Sequence, residues 1–203
     1  MIRRLAEVDS TMNAAAGLPV GSVVVADSQT AGRGRAGRTW EAPPGTALLA
    51  TFVLPADPIV VFRAGVAAAR ACGPDVRLKW PNDLMLDGRK LGGVLAEIRG
   101  ERALVGIGVN LTSAPEGAAM LRVDRDRLLD SLVLELQSLA QTPATSVMAA
   151  YRELSETLGQ RVQVETPAGL VEGTAEAVRL DGALIVDGRP IVVGDVRRLR
   201  RSS

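Results

Sequence analysis

The chain has 203 residues, with 24 Lys and Arg against 23 Asp and Glu, no histidine and a net charge of +1. Without histidine there is no Ser-His or Cys-His catalytic pair, and the commonest transition-metal ligand is missing. Chemistry must therefore rest on Lys, Arg, carboxylates and backbone groups, although carboxylates can still hold Mg²⁺. The balanced charge gives no global field that would attract nucleic acid.

The remaining composition indicates an ordinary globular protein. The single cysteine, Cys72, excludes an internal disulfide framework, and its small neighbours predict a buried thiol rather than a nucleophile. No apolar run approaches the roughly 18 residues that a membrane span needs. The first residues are charged and do not have the pattern of a secretion signal. We therefore expect a cytoplasmic protein that does not associate with membranes.

The first part of the chain predicts alternating helices and strands. Ser10 precedes an apolar segment and is a good helix N-cap, whereas β-branched and apolar runs further on are typical of strands. A later segment has apolar residues at helical spacing and ends at Gly73. The predicted elements are a short helix at 12–18, strands at 22–26 and 46–54, and a helix at 59–73.

From residue 76 onward the pattern changes to short strands joined by tight turns. Asp87-Gly88 fits a two-residue hairpin turn, and strands joined in this way pair antiparallel. The predicted elements are a strand at 76–80, a hairpin at 84–90, strands at 91–98 and 104–111, helices at 124–140 and 144–158, and short alternating strands after Gly159. The sequence therefore predicts an α+β fold in two domains. Residues 1–158 form a mixed, mainly antiparallel sheet with helices, and residues 159–203 form a small β-barrel.

The segment GRGRAGRTW at 32–40 places three arginines, Arg33, Arg35 and Arg38, among three glycines. It matches the dinucleotide pattern G-x-G-x-x-G, but that pattern requires a helix that begins at the loop. The Pro43-Pro44-Gly45 sequence that follows prevents such a helix. We interpret 32–40 as a mobile arginine loop that closes over an anionic ligand.

Further polar motifs follow at 9–11, 79–83, 90–93 and 106–110, with the sequences DST, KWPND, KLGG and GIGVN. Each has a simple structural explanation alone, such as a helix cap, a turn or a close strand crossing. Together with the arginine loop, and in this order, they resemble the biotin protein ligases. These enzymes activate biotin with ATP and transfer it to a lysine of a carrier domain.

The resemblance extends over essentially the whole chain and implies a class II synthetase-like catalytic domain with a C-terminal SH3-like barrel. It implies that Lys90, Arg33 and Arg35 are the catalytic groups. The implied biotin site consists of Ser10, Thr11, Gln29, Arg33, Gly34, Arg35, Lys90, Gly92 and Gly93. The implied ATP site consists of Arg35, Arg38, Trp40, Lys79, Asn82, Lys90 and Asn110.

The resemblance also implies the small molecules and partners of the chain. ATP and biotin are substrates, Mg²⁺ is the metal with Asp83 as its carboxylate, and no organic cofactor is bound tightly. The protein partner is a biotin carboxyl carrier domain of the acetyl-CoA carboxylase type. The oligomeric state is left open, with a homodimer as one alternative. Only eight residues precede Asp9, so we expect no DNA-binding domain and no DNA partner. Met12 departs from the asparagine that the family commonly has there.

Two alternatives stay open at this point. A lipoate-type acyl-adenylate ligase would use a similar lysine, but its substrate has no ureido group for Gln29. A nucleotide- or RNA-binding module would use the arginine loop and the C-terminal arginines at 197, 198, 200 and 201. Such modules stack bases on aromatic side chains, and only 2% of this chain is aromatic.

Overall fold

The computed structural model describes residues 1–198, so Arg200 and Arg201 of the basic C-terminal segment lie outside the described residues. The helices are α1 (Thr11–Ala15), α2 (Val60–Cys72), α3 (Arg125–Leu139) and α4 (Ala144–Leu154). The strands of the first domain are β1 (Ile2–Val8), β2 (Val23–Gln29), β3 (Ala47–Pro55), β4 (Arg77–Lys79), β5 (Asp83–Leu86), β6 (Arg89–Arg99) and β7 (Arg102–Asn110). The strands of the second domain are β8 (Arg161–Thr166), β9 (Gly169–Val178), β10 (Leu184–Val186), β11 (Arg189–Ile191) and β12 (Asp195–Arg198).

The first seven strands form one mixed sheet in the order β1-β2-β3-β7-β6-β5-β4. Every pairing is antiparallel except that of β1 with β2, which confirms the mainly antiparallel sheet. Strand β1 was not predicted from the sequence. This strand lies at the edge, carries two adjacent arginines and has no buried residue, so it lacks the apolar alternation that marks a half-buried strand.

The hairpin between β5 and β6 was predicted correctly. Asp87 and Gly88 both have positive φ, 52° and 67°, as a two-residue hairpin turn of the favoured hand requires. After the turn, β6 continues without interruption from Arg89 to Arg99. The segments predicted separately at 84–90 and 91–98 therefore form the short strand β5 and the long strand β6. This long strand carries several of the predicted site residues.

Helices α2, α3 and α4 pack together beside the sheet, and α2 contacts both of the others. Phe62 of α2 and Tyr151 of α4 meet edge to face with ring centroids 4.9 Å apart. Helix α4 ends at Leu154, four residues before the predicted end, because Ser155 already has an extended backbone. No helix within residues 1–198 combines the length and the apolar character that crossing a bilayer demands.

The second domain is a five-stranded antiparallel sheet in the order β11-β10-β9-β8-β12, consistent with the predicted SH3-like barrel. It packs directly on the first domain. The indole Nε1 of Trp80 donates to the Gly182 carbonyl at 2.9 Å. One hydrophobic core contains residues of both domains, such as Leu78 and Leu184. The two domains therefore share a desolvated contact rather than a linker.

The Cys72 thiol is buried, as predicted, and burial raises its pKa to about 12. A thiol with this pKa is almost entirely protonated at pH 8 and is a poor nucleophile. We expect that iodoacetamide leaves Cys72 unmodified in the native protein at pH 8 and alkylates it after unfolding. Peptide mapping by mass spectrometry measures both states. Rapid alkylation of the native protein would contradict the buried position.

Candidate active site

A cleft opens between the face of the large sheet, α1 and the arginine loop. The empty space of the cleft is about 720 Å³, a volume that includes the open solvent at its mouth. Most of the predicted site residues line it: Ser10, Thr11, Gln29, Arg33, Gly34, Arg35, Arg38, Trp40, Asn82, Asp83, Lys90 and Gly93. Segments far apart in sequence therefore meet at one site.

Three predicted site residues do not line this cleft. Gly92 is buried beneath it, where an added Cβ would lie 2.3 Å from the Gly108 carbonyl oxygen. Asn110 is also buried, and its amide donates to the Ala119 carbonyl at 3.1 Å. Lys79 lies outside the cleft and pairs with Asp83 at 3.3 Å. Gly92 thus permits a close strand crossing, and its assignment to the biotin site stays a prediction.

The polar end of the cleft is a fixed hydrogen-bond network. Thr11 donates to Gln29 Oε1 twice, from its backbone amide at 2.8 Å and from its hydroxyl at 2.9 Å. The buried Thr51 hydroxyl donates to Thr11 Oγ1 at 2.9 Å and holds that side chain in place. Ser10 caps α1 by accepting from the Met12 amide at 3.3 Å. The carbonyl of Gln29 is therefore occupied, and its NH₂ group is the part left for a ligand.

Asp9 orders the segment that carries this polar end. Its carboxylate accepts from the Asn13 side-chain amide and from the Ser10 backbone amide, both at 2.6 Å. These two hydrogen bonds lower the pKa of Asp9 below its ordinary value, and the bond from Asn13 has the larger effect. The ionised carboxylate thus stays available to position the start of α1 at neutral pH.

The apolar wall of the cleft includes Met12, at which the sequence departs from the family that it resembles. Met12 is only 3% exposed and packs with Val24, Val53 and Leu104. Its Sδ lies 3.2 Å from the position that a Cβ of Gly106 would occupy. Met12 therefore fills the space above a glycine of the GIGVN motif. A flexible thioether suits such an irregular gap.

Trp40 covers the sheet at a second glycine of the same motif. A Cβ on Gly108 would lie 2.7 Å from Cε2 of the Trp40 indole, so only glycine allows this close packing. Lys90 Nζ lies 6.0 Å from the centre of the Trp40 ring, at the limit of a cation–π contact. The indole Nε1 of Trp40 is buried and has no hydrogen-bond partner among the described residues. This donor is available to a ligand in the cleft.

Lys90 and Asp83 lie at the charged end of the cleft. Lys90 Nζ donates to Asp83 Oδ1 at 2.6 Å, while Lys79 pairs with Asp83 Oδ2 at 3.3 Å. The Asp83 side chain is 15% exposed and that of Lys90 is 41% exposed. One carboxylate is thus shared by two ammonium groups, which leaves a net positive charge here.

The arginine loop begins with an arginine that is anchored on one side only. Arg33 Nη1 pairs with Glu97 of β6 at 2.8 Å. Its Nε and Nη2 atoms are buried and unpartnered among residues 1–198. Buried donors without partners are rare in folded proteins, and each demands an explanation. An acceptor group of a ligand would satisfy both atoms.

The other two loop arginines contact the second domain. Arg35 Nη1 donates to Asn82 Oδ1 at 3.1 Å and pairs with Asp195 Oδ1 at 3.3 Å. Arg38 Nη2 pairs with Asp195 Oδ2 at 2.9 Å. The arginines of the loop that was interpreted as mobile therefore have polar partners within the protein itself. The partners come from β6, from the segment before β5 and from the second domain.

The loop also contains local structure that the sequence did not predict. Residues Arg35–Gly37 form a single 3₁₀ turn, in which Ala36 and Gly37 have φ of 53° and 73°. The expected absence of an α-helix after the glycines is confirmed, because β3 is the next regular element. Left-handed backbone at a non-glycine residue is uncommon and is held by surrounding contacts.

A family model described as biotin/lipoate A/B protein ligase matches residues 6–112, slightly more than half of the chain. A biotin--[acetyl-CoA-carboxylase] ligase of Mycobacterium tuberculosis is 35% identical, over 95% of this chain and 85% of the relative. The chain belongs to the biotin/lipoate A/B protein ligase family. The resemblance inferred from the motifs is thereby confirmed.

Solved structures of biotin protein ligases share the fold of this family member. The Aquifex aeolicus enzyme in complex with biotin and ATP superposes with a TM-score of 0.85 at 25% identity, covering 98% of this chain and 99% of that one. The Leishmania major enzyme in complex with biotinyl-5-AMP gives a TM-score of 0.70 at 27% identity, covering 98% of each chain. Because the match extends through both domains, it also confirms the predicted α+β class.

Several residues of the ligase cleft were missed by the sequence analysis. Gly106 and Gly108 were seen as part of a motif but not as the floor on which Met12 and Trp40 pack. Glu97 does not line the cleft but holds Arg33, and it could not be found because a charged residue on a strand has no signal that distinguishes it from a solvated one. The other missed lining residues are Thr39, Leu49, Ala50, Val94, Leu95 and Ile107.

The small number of carboxylate ligands at the cleft limits how a metal could bind. Within residues 1–198 no group of three or more Asp, Glu or Cys side chains could hold an ion. Asp83 is the only carboxylate among the described lining residues of the cleft. Mg²⁺ is commonly bound by one or two carboxylates together with substrate phosphates. The residues therefore fit a Mg²⁺ ion that arrives with a nucleotide and do not fit a resident ion.

The packing of Trp40 on Gly108 leads to a testable prediction. We expect Gly108→Ala to displace the indole, because its new Cβ would lie within 3 Å of two ring atoms. The KM for ATP should rise severalfold if Trp40 contacts the nucleotide. Gly65→Ala is the matched control, since its Cβ would meet nothing closer than 3.6 Å inside α2. Steady-state kinetics and thermal unfolding of both variants test this, and an unchanged KM in Gly108→Ala would contradict it.

Proposed function

We propose that this protein is an ATP-dependent ligase that activates biotin as biotinyl-5′-AMP and transfers it to a lysine of a carrier domain. The observation that carries the proposal is the polarity of one continuous cleft. It has a hydrogen-bonding end at Gln29, an apolar wall, and a cationic end at Lys90 and Arg33. This order matches a small bicyclic acid whose ureido group is at one end and whose carboxylate is at the other.

The polar end suits a ureido group because the hydrogen bonds within the protein leave defined donors for a ligand. The two Thr11 donors occupy the Gln29 carbonyl, so the Gln29 NH₂ can donate to the ureido oxygen. The Ser10 oxygen accepts from the Met12 amide, which leaves its hydroxyl proton for a ligand acceptor. The apolar sulfur-containing ring of biotin would lie on the wall formed by Leu95 and Ile107.

The cationic end addresses the electrostatic problem of adenylation. The biotin carboxylate must approach the α-phosphate of ATP, and both groups are negatively charged. Lys90 reaches the cleft from β6, and Arg33 presents two donors that have no partner among residues 1–198. These groups would neutralise the approaching charges and stabilise the transition state while pyrophosphate leaves. The carboxylate oxygen forms the new bond to phosphorus.

The second half-reaction needs no histidine. The amine of the carrier lysine attacks the carbonyl carbon of the mixed anhydride, the amide bond forms, and AMP leaves with the bonding electrons. AMP is a good leaving group, so the protein has to hold the anhydride and exclude water rather than supply a nucleophile. The arginine loop lies over the cleft in the position to do this.

Mg²⁺, when bound, would supply positive charge that neutralises the ATP phosphates. We propose that Asp83 contacts this ion. Asp83 would then exchange one of its two lysine contacts for the metal. Lys79, Asn82 and Asn110 stay proposed nucleotide contacts, although Lys79 and Asn110 do not line the cleft.

The proposed protein partner is a biotin carboxyl carrier domain of the acetyl-CoA carboxylase type. The support is the activity for which the Mycobacterium tuberculosis relative is named, since that relative aligns with nearly all of this chain. The cytoplasmic location expected from the composition stays a prediction. A homodimer stays a prediction as well.

Lipoate is the second candidate substrate, because the family model covers both kinds of ligase. Incubation of the protein with ATP, Mg²⁺ and an equimolar mixture of biotin and lipoate distinguishes the two. Mass spectrometry of the acid-quenched mixture should detect biotinyl-AMP in large excess. Lipoyl-AMP as the main product would replace biotin by lipoate in the proposal, and the absence of both adducts would refute an acyl-adenylate ligase.

A further inference from the structure

Asp195, at the start of β12, connects the second domain to the arginine loop. Each of its carboxylate oxygens contacts a different loop arginine, Oδ1 with Arg35 at 3.3 Å and Oδ2 with Arg38 at 2.9 Å. The neighbouring Gly194 carbonyl accepts from Arg35 Nη1 at 3.4 Å. These contacts join residues about 160 positions apart in the chain.

The position of Asp195 is fixed by the packing of its own strand. A Cβ on Gly194 would lie 2.7 Å from Val164 Cγ1 and 3.0 Å from the Glu165 carbonyl oxygen, so the backbone is pressed against β8. Asp195 itself pairs in register with Glu165. The carboxylate is therefore presented by a rigid sheet rather than by a free loop.

Arg35 is the residue through which this contact reaches the cleft. Its guanidinium also donates to Asn82 Oδ1 at 3.1 Å, and both Arg35 and Asn82 line the cleft. The Arg35 side chain is 23% exposed, so solvent screens its pairing with Asp195 less than a fully exposed pair. One arginine thus bridges the second domain and the floor of the candidate active site.

We propose that Asp195 is a positioning residue that latches the arginine loop over the cleft. The second domain then acts on the reaction by holding the loop closed, without contacting the substrate through Asp195. The part of this inference that concerns the adenylate rests on the proposed function. The part that concerns the loop holds for the ligand-free protein.

The consequence for the reaction is retention of the mixed anhydride. An exposed ion pair contributes little to stability, but Asp195 engages two arginines of one short loop, one of them largely shielded. Loss of the carboxylate should raise the population of the open loop about fivefold, which corresponds to roughly 1 kcal/mol at 25 °C. An anhydride that leaves the cleft at that higher rate is hydrolysed or reacts with other amines.

Limited trypsin digestion of the ligand-free protein tests the latch without any catalysis. Trypsin cleaves after arginine, and Arg33, Arg35 and Arg38 are themselves the loop sites. We expect cleavage in the loop to be about fivefold faster in Asp195→Ala than in the parent, because proteolysis follows the population of the open form. Asp195→Glu should restore slow cleavage. Thermal unfolding of each variant measures whether the fold is retained.

Glu165→Ala is the matched control for this experiment. Glu165 lies opposite Asp195 on β8 and pairs with Arg197 at 3.4 Å, away from the loop. Its removal deletes a carboxylate from the same pair of strands and should leave loop cleavage unchanged. Equal cleavage rates in the parent and Asp195→Ala would overturn the latch. So would equal acceleration in Asp195→Ala and Glu165→Ala.

Release of the adenylate tests the functional consequence. Protein loaded with ATP and labelled biotin is passed over a desalting column, and the loss of bound biotinyl-AMP is followed with time. Asp195→Ala should release it about fivefold faster than the parent and Glu165→Ala. If the parent forms no adenylate, the proposed function fails while the proteolysis result still decides the latch. If all three release it equally, the latch has no role in retention and the inference is overturned.

Discussion

Replacing Lys90 with alanine is expected to lower the rate of adenylate formation by roughly a hundredfold or more. This is the scale for removing one preorganised donor that stabilises charge in a transition state. The fold should survive, because Asp83 keeps Lys79 as an ionic partner when Lys90 is lost. Single-turnover adenylation, followed by quenching and mass spectrometry, measures the rate directly.

Arg89→Ala is the matched control for Lys90→Ala. Arg89 is the neighbouring basic residue on β6, its side chain is 55% exposed, and its ion pair with Asp87 is long at 4.0 Å. Its removal should change adenylation less than twofold. Near-normal adenylation in a folded Lys90→Ala variant would overturn the role assigned to Lys90.

Replacing Arg35 with glycine is expected to release biotinyl-AMP about tenfold faster or more, and to relax the selectivity of labelling. Loss of a hydrogen bond to a charged group is sufficient for an effect of this size. Arg35 joins the loop to Asn82 and to Asp195, so the variant loses both attachments at once. The escaped anhydride should then biotinylate exposed lysines on bystander proteins.

Ala36→Gly separates the flexibility of the loop from the loss of the guanidinium. It adds a glycine at the adjacent position, where φ is already 53°, and it leaves Arg35 in place. Adenylate dissociation and bystander labelling should be far lower in Ala36→Gly than in Arg35→Gly. If Arg35→Gly holds the intermediate as tightly as the parent and labels only the carrier, Arg35 does not act as a lid residue.

The sequence was sufficient for the parts of the fold in which local chemistry and pattern agree. Ser10 caps α1, Gly73 ends α2, and Asp87-Gly88 forms the hairpin turn, as predicted. Such residues act over a few positions, so their effect can be read without knowledge of the tertiary structure. Strand β1 was missed because pairing with β2, rather than its own composition, makes it a strand.

The candidate site was predictable as a set of residues and not as a set of contacts. The motifs placed Gln29 and Lys90 in one site, and both line the cleft. Asp195 could not be assigned to the arginine loop, because an acidic residue near the C-terminus has no sequence signal that names its distant partner. The same reason explains Glu97, which holds Arg33 from β6.

The sequence predicted part of what Gly92 and Gly93 do. A close backbone approach was predicted at Gly92 and Gly93, but the pattern could not say whether ligand or protein approaches. Gly92 faces the Gly108 carbonyl, whereas Gly93 lines the cleft. The alternation of strand residues between the two faces of a sheet separates such neighbours, and it becomes decisive only when the strand register is known.

The most direct test of the account is transfer of biotin to a carrier lysine by the purified protein. The protein, ATP, Mg²⁺, biotin and a biotin carboxyl carrier domain are incubated together, and the carrier is measured by intact mass and peptide mapping. The account predicts one biotinyl group on one carrier lysine, dependent on ATP and abolished when that lysine is replaced. An unmodified carrier, with no biotinyl-AMP formed, would contradict it.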